Sequence, residues 1–433
     1  MKLTVFQSDK GDCLLVQGAA GEHILVDGGM ASSYRAHVAP TLAALREQGT
    51  PLDLLYVSHI DEDHIEGVLA LMQAEVEWRV HEHQVAHKNP DHPEPKELRP
   101  PEVRELWHNA FDEVVGNNSR PIAEMLAATA AVLDAGDDPD DPALAERQRD
   151  LGSSVDQGIR LSRRAGADQL KIPLNRAFDG KLALVRDDQQ PIELGSLKLT
   201  VIGPFEEDLK ELRKEWNEWL KANKRQLADT QRHMREDAER LGTSEFDLLQ
   251  GELALQAAAL GNRKKVTAPN LASLMLLLEE GTKQVLLTGD GHADDILRGL
   301  EHAGRLDADG AIHVDVLKVQ HHGAEFNIDE EFCRRVTADR YVFCANGAHA
   351  NPDLRALQAI LDSRLGAQGV ASDNAQAGDR FELLFNSRST VVKAGPRREH
   401  MEKVEALVVD AQGRHPNRFE AAFLDDHLFE LQV

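Results

Sequence analysis

The chain has 433 residues, 42% hydrophobic and 28% charged, enough for one large domain with insertions or for two domains. Its 74 acids against 49 bases leave a formal net charge of −25, which argues against a broad nucleic-acid-binding surface, because phosphate attraction needs clustered Lys and Arg. A narrow basic groove or a metal centre remains able to receive a phosphate. Cys13, Cys333 and Cys344 form no CxxC pair and read as reduced, buried thiols of a cytoplasmic protein. The opening residues are too polar for a signal peptide, no apolar run reaches the ~20 residues of a membrane span, and no membrane partner is expected.

In chain order, "KLTVFQ", "CLLVQG" and "HILVDGG" read as short strands broken by Gly and Asp, the start of a β-meander. "YRAHVAPTLAALREQG" has helical spacing, "LDLLYVS" reads as a buried strand and "IEGVLALMQ" as the helix after it, beginning near Ile65. From Lys88 the texture changes to a Pro-rich loop, helical pieces and an acidic, turn-rich run. "KLALVRD" and "SLKLTVIGP" return to strand. Residues 205–265 are dense in charge and predict a projecting helical hairpin. "SLMLLLEEGTKQVLLTGDG" predicts two strands joined at a Gly turn, "HVDVLKVQHHG", "RYVFCAN" and "RFELLF" further strands, and "NPDLRALQAILDSRL" a helix. The expected organisation is α/β: one domain over 1–393, interrupted by insertions at 88–180 and 205–265, then a C-terminal extension at 394–433 to which no role is assigned.

Four apolar strands run out directly into carboxylate or imidazole: "HILVD" at Asp27, "LLYVSH" at His59, "QVLLTGD" at Asp290, and "DVLKVQHH" at His321 and His322. In layered α/β proteins, sites form beyond strand ends, where loops converge. In "SHIDEDH", alternation along an extended loop sends His59, Asp61 and Asp63 to one side, with His64 on the first helical turn. Close imidazole and carboxylate suit a Zn2+ or Mn2+ centre, and a cation relieves the repulsion among Asp61, Glu62 and Asp63. The bland alternative is a helix start with acids at its positive end and incidental histidines. The coincidence with Asp290 and His322 favours the metal.

These segments resemble a known family. "SHIDEDHIEG" looks like the HxHxDH signature of the metallo-β-lactamase fold with Asp at its second position, "VLLTGDG" like its bridging-Asp motif and "DVLKVQHHGAEF" like its LKV-x-HHG segment. With "GDCLLVQ…HILVDGG", the set is most similar to the hydrolase domain of ComEC-type DNA-uptake proteins, and also to phosphorylcholine esterase. The resemblance covers residues 1–87, about 181–204, and 266–393. It implies an αββα sandwich with helical insertions and one or two metals, Zn2+ or Mn2+. His59 and Asp61 would serve the first metal, Asp63, His64 and His322 the second, Asp290 would bridge, and Asp27 would support the metal loop from behind. His321 would sit beside the metal, able to protonate a leaving group. The chain departs from the family where Asn270 stands near a usual His, and at Asn351-Pro352, with His349 two residues away. The first position is thereby ligand-poor, and the carboxylates tilt the choice toward Mn2+.

The expected activity is water attack on a phosphodiester, of a nucleic acid or a small phosphate-containing molecule, with Asp63 and His321 as catalytic residues. Alternatives are hydrolysis of carbonyl esters, lactones or amides on the same centre, or a non-catalytic protein binding a partner, or itself, through the helical insertions. Other polar groups read as structural. His81 and His83 are expected on one face of a strand end, near His87 and His92. Trp107 and Phe111 are expected four apart on a helix, with His108 and Asn109 incidental. Trp216 and Trp219 read as a packing seam, and residues 263–265 ("RKK") as a small basic patch.

Overall fold

The structure, a computed structural model, describes residues 1–87, 89–109, 157–210 and 273–433, together with 214 and 218. The proposed hairpin at 205–265, Phe111, Trp216, Trp219, the "RKK" patch and Asn270 fall wholly or almost wholly outside these.

Two sheets carry the fold. The first has β1 (Lys2–Phe6), β2 (Leu14–Gln17), β3 (His23–Val26), β4 (Leu54–Tyr56), β5 (Leu106–Trp107) and β14 (Leu428–Gln432), in the order β14-β1-β2-β3-β4-β5. The second has β6 (Ile192–Leu194), β7 (Leu197–Gly203), β8 (Met275–Glu280), β9 (Lys283–Leu287), β10 (Ile312–Lys318), β11 (Val336–Phe343), β12 (Phe381–Phe385) and β13 (Phe419–Phe423), ordered β13-β12-β11-β10-β9-β8-β7-β6. Period-two alternation splits the apolar residues between layers. Along β8, Leu276 and Leu278 enter the core between the sheets, where they join Leu3, Val5, Ile24 and Tyr56. Met275 and Leu277 face the other way, toward helices.

The outer face of the first sheet is covered by α1 (Ala31–Ser33), α2 (Ala39–Glu47) and α3 (Glu62–Ala86). That of the second is covered by α4 (Ala293–His302), α5 (Glu330–Arg335), α6 (Leu354–Leu365) and α7 (Pro396–Arg414). Helix, sheet, sheet, helix is the expected αββα sandwich. The C-terminal residues add an edge strand to each sheet: β13 pairs in parallel with β12, and β14 pairs antiparallel with β1.

Several local expectations are corrected. α3 begins at Glu62, three residues before Ile65, so Asp63 is already helical, and it runs on to Ala86. His81 and His83 therefore lie on a helix and share no strand face. The physical reason is that no helix breaker occurs between Gly67 and Pro90, and pairs such as Glu75–Arg79 support the turns. Trp107 is in a strand, because Leu106 and Trp107 add in parallel to Leu55 and Tyr56. "KLALVRD" forms no ladder beyond a single bridge from Val185 to Phe205. Asn109 replaces a strand partner there: its side chain accepts from Ala183 N at 2.8 Å and donates to Ala183 O at 2.9 Å.

Candidate metal centre

β3 and β4 run parallel, as do β9 and β10, so the residues beyond their carboxyl ends emerge at one edge of the sandwich. The turn after β3 is tied to the start of α3. Gly28 N donates to His64 O at 2.8 Å and Gly67 N to Gly29 O at 2.9 Å. A Cβ on Gly67 would lie 1.9 Å from Gly28 O, so glycine is required for that approach. Asp27 itself adopts φ 55 to turn its carboxylate inward.

That carboxylate organises the loop. It accepts from Ser58 N and Ser58 Oγ, each at 2.7 Å, and from His64 Nδ1 at 2.9 Å. With its hydroxyl proton committed to Asp27, Ser58 Oγ accepts from His59 Nδ1 at 3.0 Å. His322 Nδ1 donates to Cys344 O at 2.7 Å. Each imidazole thus spends its Nδ1 proton outward, and His59, His64 and His322 all turn Nε2 inward as the atom left to ligate.

The inward atoms meet. His59 Nε2 lies 3.4 Å from Asp290 Oδ2 and 3.6 Å from Asp61 Oδ2. His64 Nε2 lies 3.4 Å from both Asp290 Oδ1 and His322 Nε2. His322 Nε2 is 3.1 Å from Asp63 Oδ2 and 3.7 Å from Asp290 Oδ2. Donors about 2.1 Å from a tetrahedral cation stand about 3.4 Å from one another. His59 Nε2 and Asp290 Oδ1 are buried without a hydrogen-bond partner, a cost that a cation removes. Asp61 is the N-cap of α3, yet its side chain makes no capping bond, whereas Asp329 caps α5 by accepting from Phe332 N at 2.7 Å. The Asp61 carboxylate is turned to His59 instead. The donor set fits a divalent metal.

The electrostatics say the same. Burial pushes the His64 imidazolium down, as does His59, but Asp290, Asp12 and Asp27 outweigh both and lift it to about 9. His59 and His322 are likewise raised against burial, chiefly by Asp290. Asp290 is held well below the usual carboxylate range, against burial, by His321, His64, His322 and His59. Without a metal, protons fill the positive role that the carboxylates demand.

His321 stands at the rim, partly exposed, with Nε2 3.5 Å from Asp290 Oδ2 and Nδ1 2.6 Å from Asn327 Oδ1. His321 and His322 have φ of 46° and 57°, left-handed backbone that non-glycine residues rarely hold and that clusters at functional sites. His349 is exposed on a short turn. Among the described residues, the groups able to hold a cation include neither it nor His81, His83, His87 or His92. His108 is buried with both ring nitrogens unpartnered, and burial pushes it down to about 3, so it stays neutral.

Sequence reading missed two residues. Lys318, fully buried, pairs with Asp12, donates to Gly289 O at 3.0 Å and lies 3.9 Å from Asp290 Oδ1. Asp12 in turn lies 3.3 Å from His322 Nδ1 and 3.8 Å from His64 Nδ1, behind both rings. Burial opposes both charges, yet Lys318 brings Asp12 down to about 2 and Asp12 holds Lys318 above its ordinary range. The available signal was a lysine inside the apolar run "VDVLKV", which demands a buried partner.

Residues 9–146 match the model of the metallo-beta-lactamase superfamily. With the two-sheet sandwich, this defines a metallo-β-lactamase-fold domain. No curated protein matches the chain. Among solved structures, the chain is similar to Zn(2+)-bound PqqB from Methylobacterium extorquens, a 1.98-angstrom crystal structure, at 10% identity and a TM-score of 0.32 over the whole of both chains.

Proposed function

We propose that this protein is a metal-dependent hydrolase of phosphodiesters. The observation that carries the reading is the convergence of His59, Asp61, Asp63, His64, Asp290 and His322, with Nε2 and carboxylate oxygens 3.1 to 3.7 Å apart and unpartnered atoms among them. In this reading His59 and Asp61 hold one position and Asp63, His64 and His322 a second, with Asp290 between them; His59, His64 and Asp290 lie within one cation's reach of one another. Such a pair of sites suits a clamp on the attacking and leaving oxygens of a phosphodiester. The likeness of the "SHIDEDH", "TGDG" and "LKVQHHG" segments to ComEC-type hydrolase domains supports the same substrate class.

A divalent ion held there, Mn2+ in preference to Zn2+ given the carboxylates, supplies Lewis acidity and a nucleophilic water at neutral pH. The chain's own groups do the rest. Asp27, Ser58 and the Cys344 carbonyl fix the ring orientations. Asp63 holds its carboxylate ionised well below the usual range, against burial, through His64 and His322. His321, oriented by Asn327, is placed to give a proton to the departing oxygen.

The test is metal analysis of purified protein, then hydrolysis of bis-p-nitrophenyl phosphate with Mn2+ or Zn2+. Bound metal and turnover abolished by Asp63→Ala are expected. His321→Ala should slow turnover about a hundredfold with metal content unchanged. Turnover indifferent to Asp63→Ala discards the reading. Normal metal content with cleavage of p-nitrophenyl acetate alone moves the activity to carbonyl esters.

A further inference from the structure

The chain is strongly acidic, yet one trough on its surface gathers five arginines against two acids. It lies between α3 and the helix at residues 157–165, whose Leu161 and Ala165 share one buried core with Val68, Leu71 and Met72 of α3. Two adjoining cavities make it up, of about 300 and about 680 Å³, and both include Arg160 and Arg164. Arg35 lines the first; Arg79 and Arg163 line the second. The acids lining them are Glu66 and Asp168.

Some of these cations are already engaged: Arg35 pairs with Glu97 at 2.9 Å and Arg79 with Glu75 at 2.8 Å. Arg164 donates to the neutral Gln73 Oε1 at 2.5 Å, so its charge is not cancelled there. Among the described residues, no acid lies within ion-pair distance of Arg163 or Arg164.

The near end of the trough abuts the metal loop. Gly158 packs on Ile60, the residue between His59 and Asp61; a Cβ there would lie 3.0 Å from Ile60 Cγ2. Beside it Gln157 lines the smaller cavity, 5% exposed, with its side-chain carbonyl unpartnered. Glu66, at the same end, is one helical turn from Asp63. From there the lining follows α3 through Gln73 and Val76 to Gln84.

We infer that this trough is a binding track for a single strand of nucleic acid, which it feeds to the metal centre. The inference rests on the phosphodiesterase reading and deepens it by naming the substrate class. Guanidinium groups spaced along a helix match repeated phosphates. Aliphatic walls at Val76, Val80 and Leu170 give bases an apolar surface. Cavities of about 300 and about 680 Å³ have room for a short stretch of one strand and none for a duplex. The rest of the acidic surface repels strands that miss the track.

The experiment is fluorescence anisotropy with the full-length, metal-loaded protein and a labelled oligothymidylate of phosphorothioate backbone, which resists cleavage. The native chain should bind it, and Arg163→Ala/Arg164→Ala should weaken binding about tenfold. The slope of log affinity on log salt should fall by about 1 to 1.5, at ~0.7 for each phosphate that the variant leaves unneutralised. Circular dichroism and metal content of the variant establish that it is folded and loaded. Absent binding, unchanged binding in the variant, or equal affinity for a duplex overturns the track. So does displacement by pyrophosphate at equal phosphate concentration, which makes the trough a site for a small anion. A metal-free, inactive protein that still binds the strand sinks the hydrolase reading and leaves the track standing.

Discussion

Lys318 shows how much one residue decides. It is the cation that permits Asp12 to sit fully buried behind His64 and His322, where it meets both rings from the side away from their Nε2 atoms. Buried ion pairs add little over an apolar pair, but breaking one leaves an uncompensated charge. Lys318→Met should therefore cost about 3–5 kcal/mol in urea unfolding. Adding Asp12→Asn should recover most of that loss, since both partners are then neutral and similar in shape. A double variant no more stable than the single one would show that Lys318 acts through something other than Asp12.

At the scale of elements, the site depends on α3 being locked to the turn after β3. Gly28 and Gly67 let the two backbones touch, and the bonds to His64 O and Gly29 O set where α3 begins. His64, in the first turn, is therefore delivered to Asp27, while Asp61 faces His59 and Asp63 faces His322. Gly67→Ala pushes α3 outward along its first turns. The expected result is about 1–3 kcal/mol lost in denaturant unfolding and a measurable drop in bound metal per chain. Full metal retention would mean the two elements can separate without disturbing the ligands.

For the molecule as a whole, acidity and metal are linked. In the metal-free fold the carboxylates raise His64 from an ordinary 6.5 to about 9, and His59 and His322 move the same way. A group raised in the folded state stabilises fully below its unfolded value and loses that contribution as pH climbs through the folded one. The melting temperature of chelated protein should thus decline from pH 6.5 to 9. The metal-loaded form, whose ligands are already deprotonated, should show no such decline, and loading should release protons. A flat profile for the chelated protein would contradict the proton-filled centre.

Much of this was legible in the residues. Apolar runs ending in Asp27, His59, Asp290 and His322 announce strands that finish in carboxylate and imidazole, because side-chain polarity is a property of a few neighbouring residues. The long α3 and the short β5 were misread, since helix persistence past Gln73 and strand pairing of Trp107 depend on neighbours far away in the chain. Chemistry of the donors, then, belonged to the sequence alone. Which nitrogen faces inward, the burial of Asp12 on Lys318 and the arginine trough beside Ile60 were decided only by tertiary structure. The physical reason is that His64 and His322 stand 258 residues apart, and only the stacking of two sheets face to face brings their Nε2 atoms to 3.4 Å.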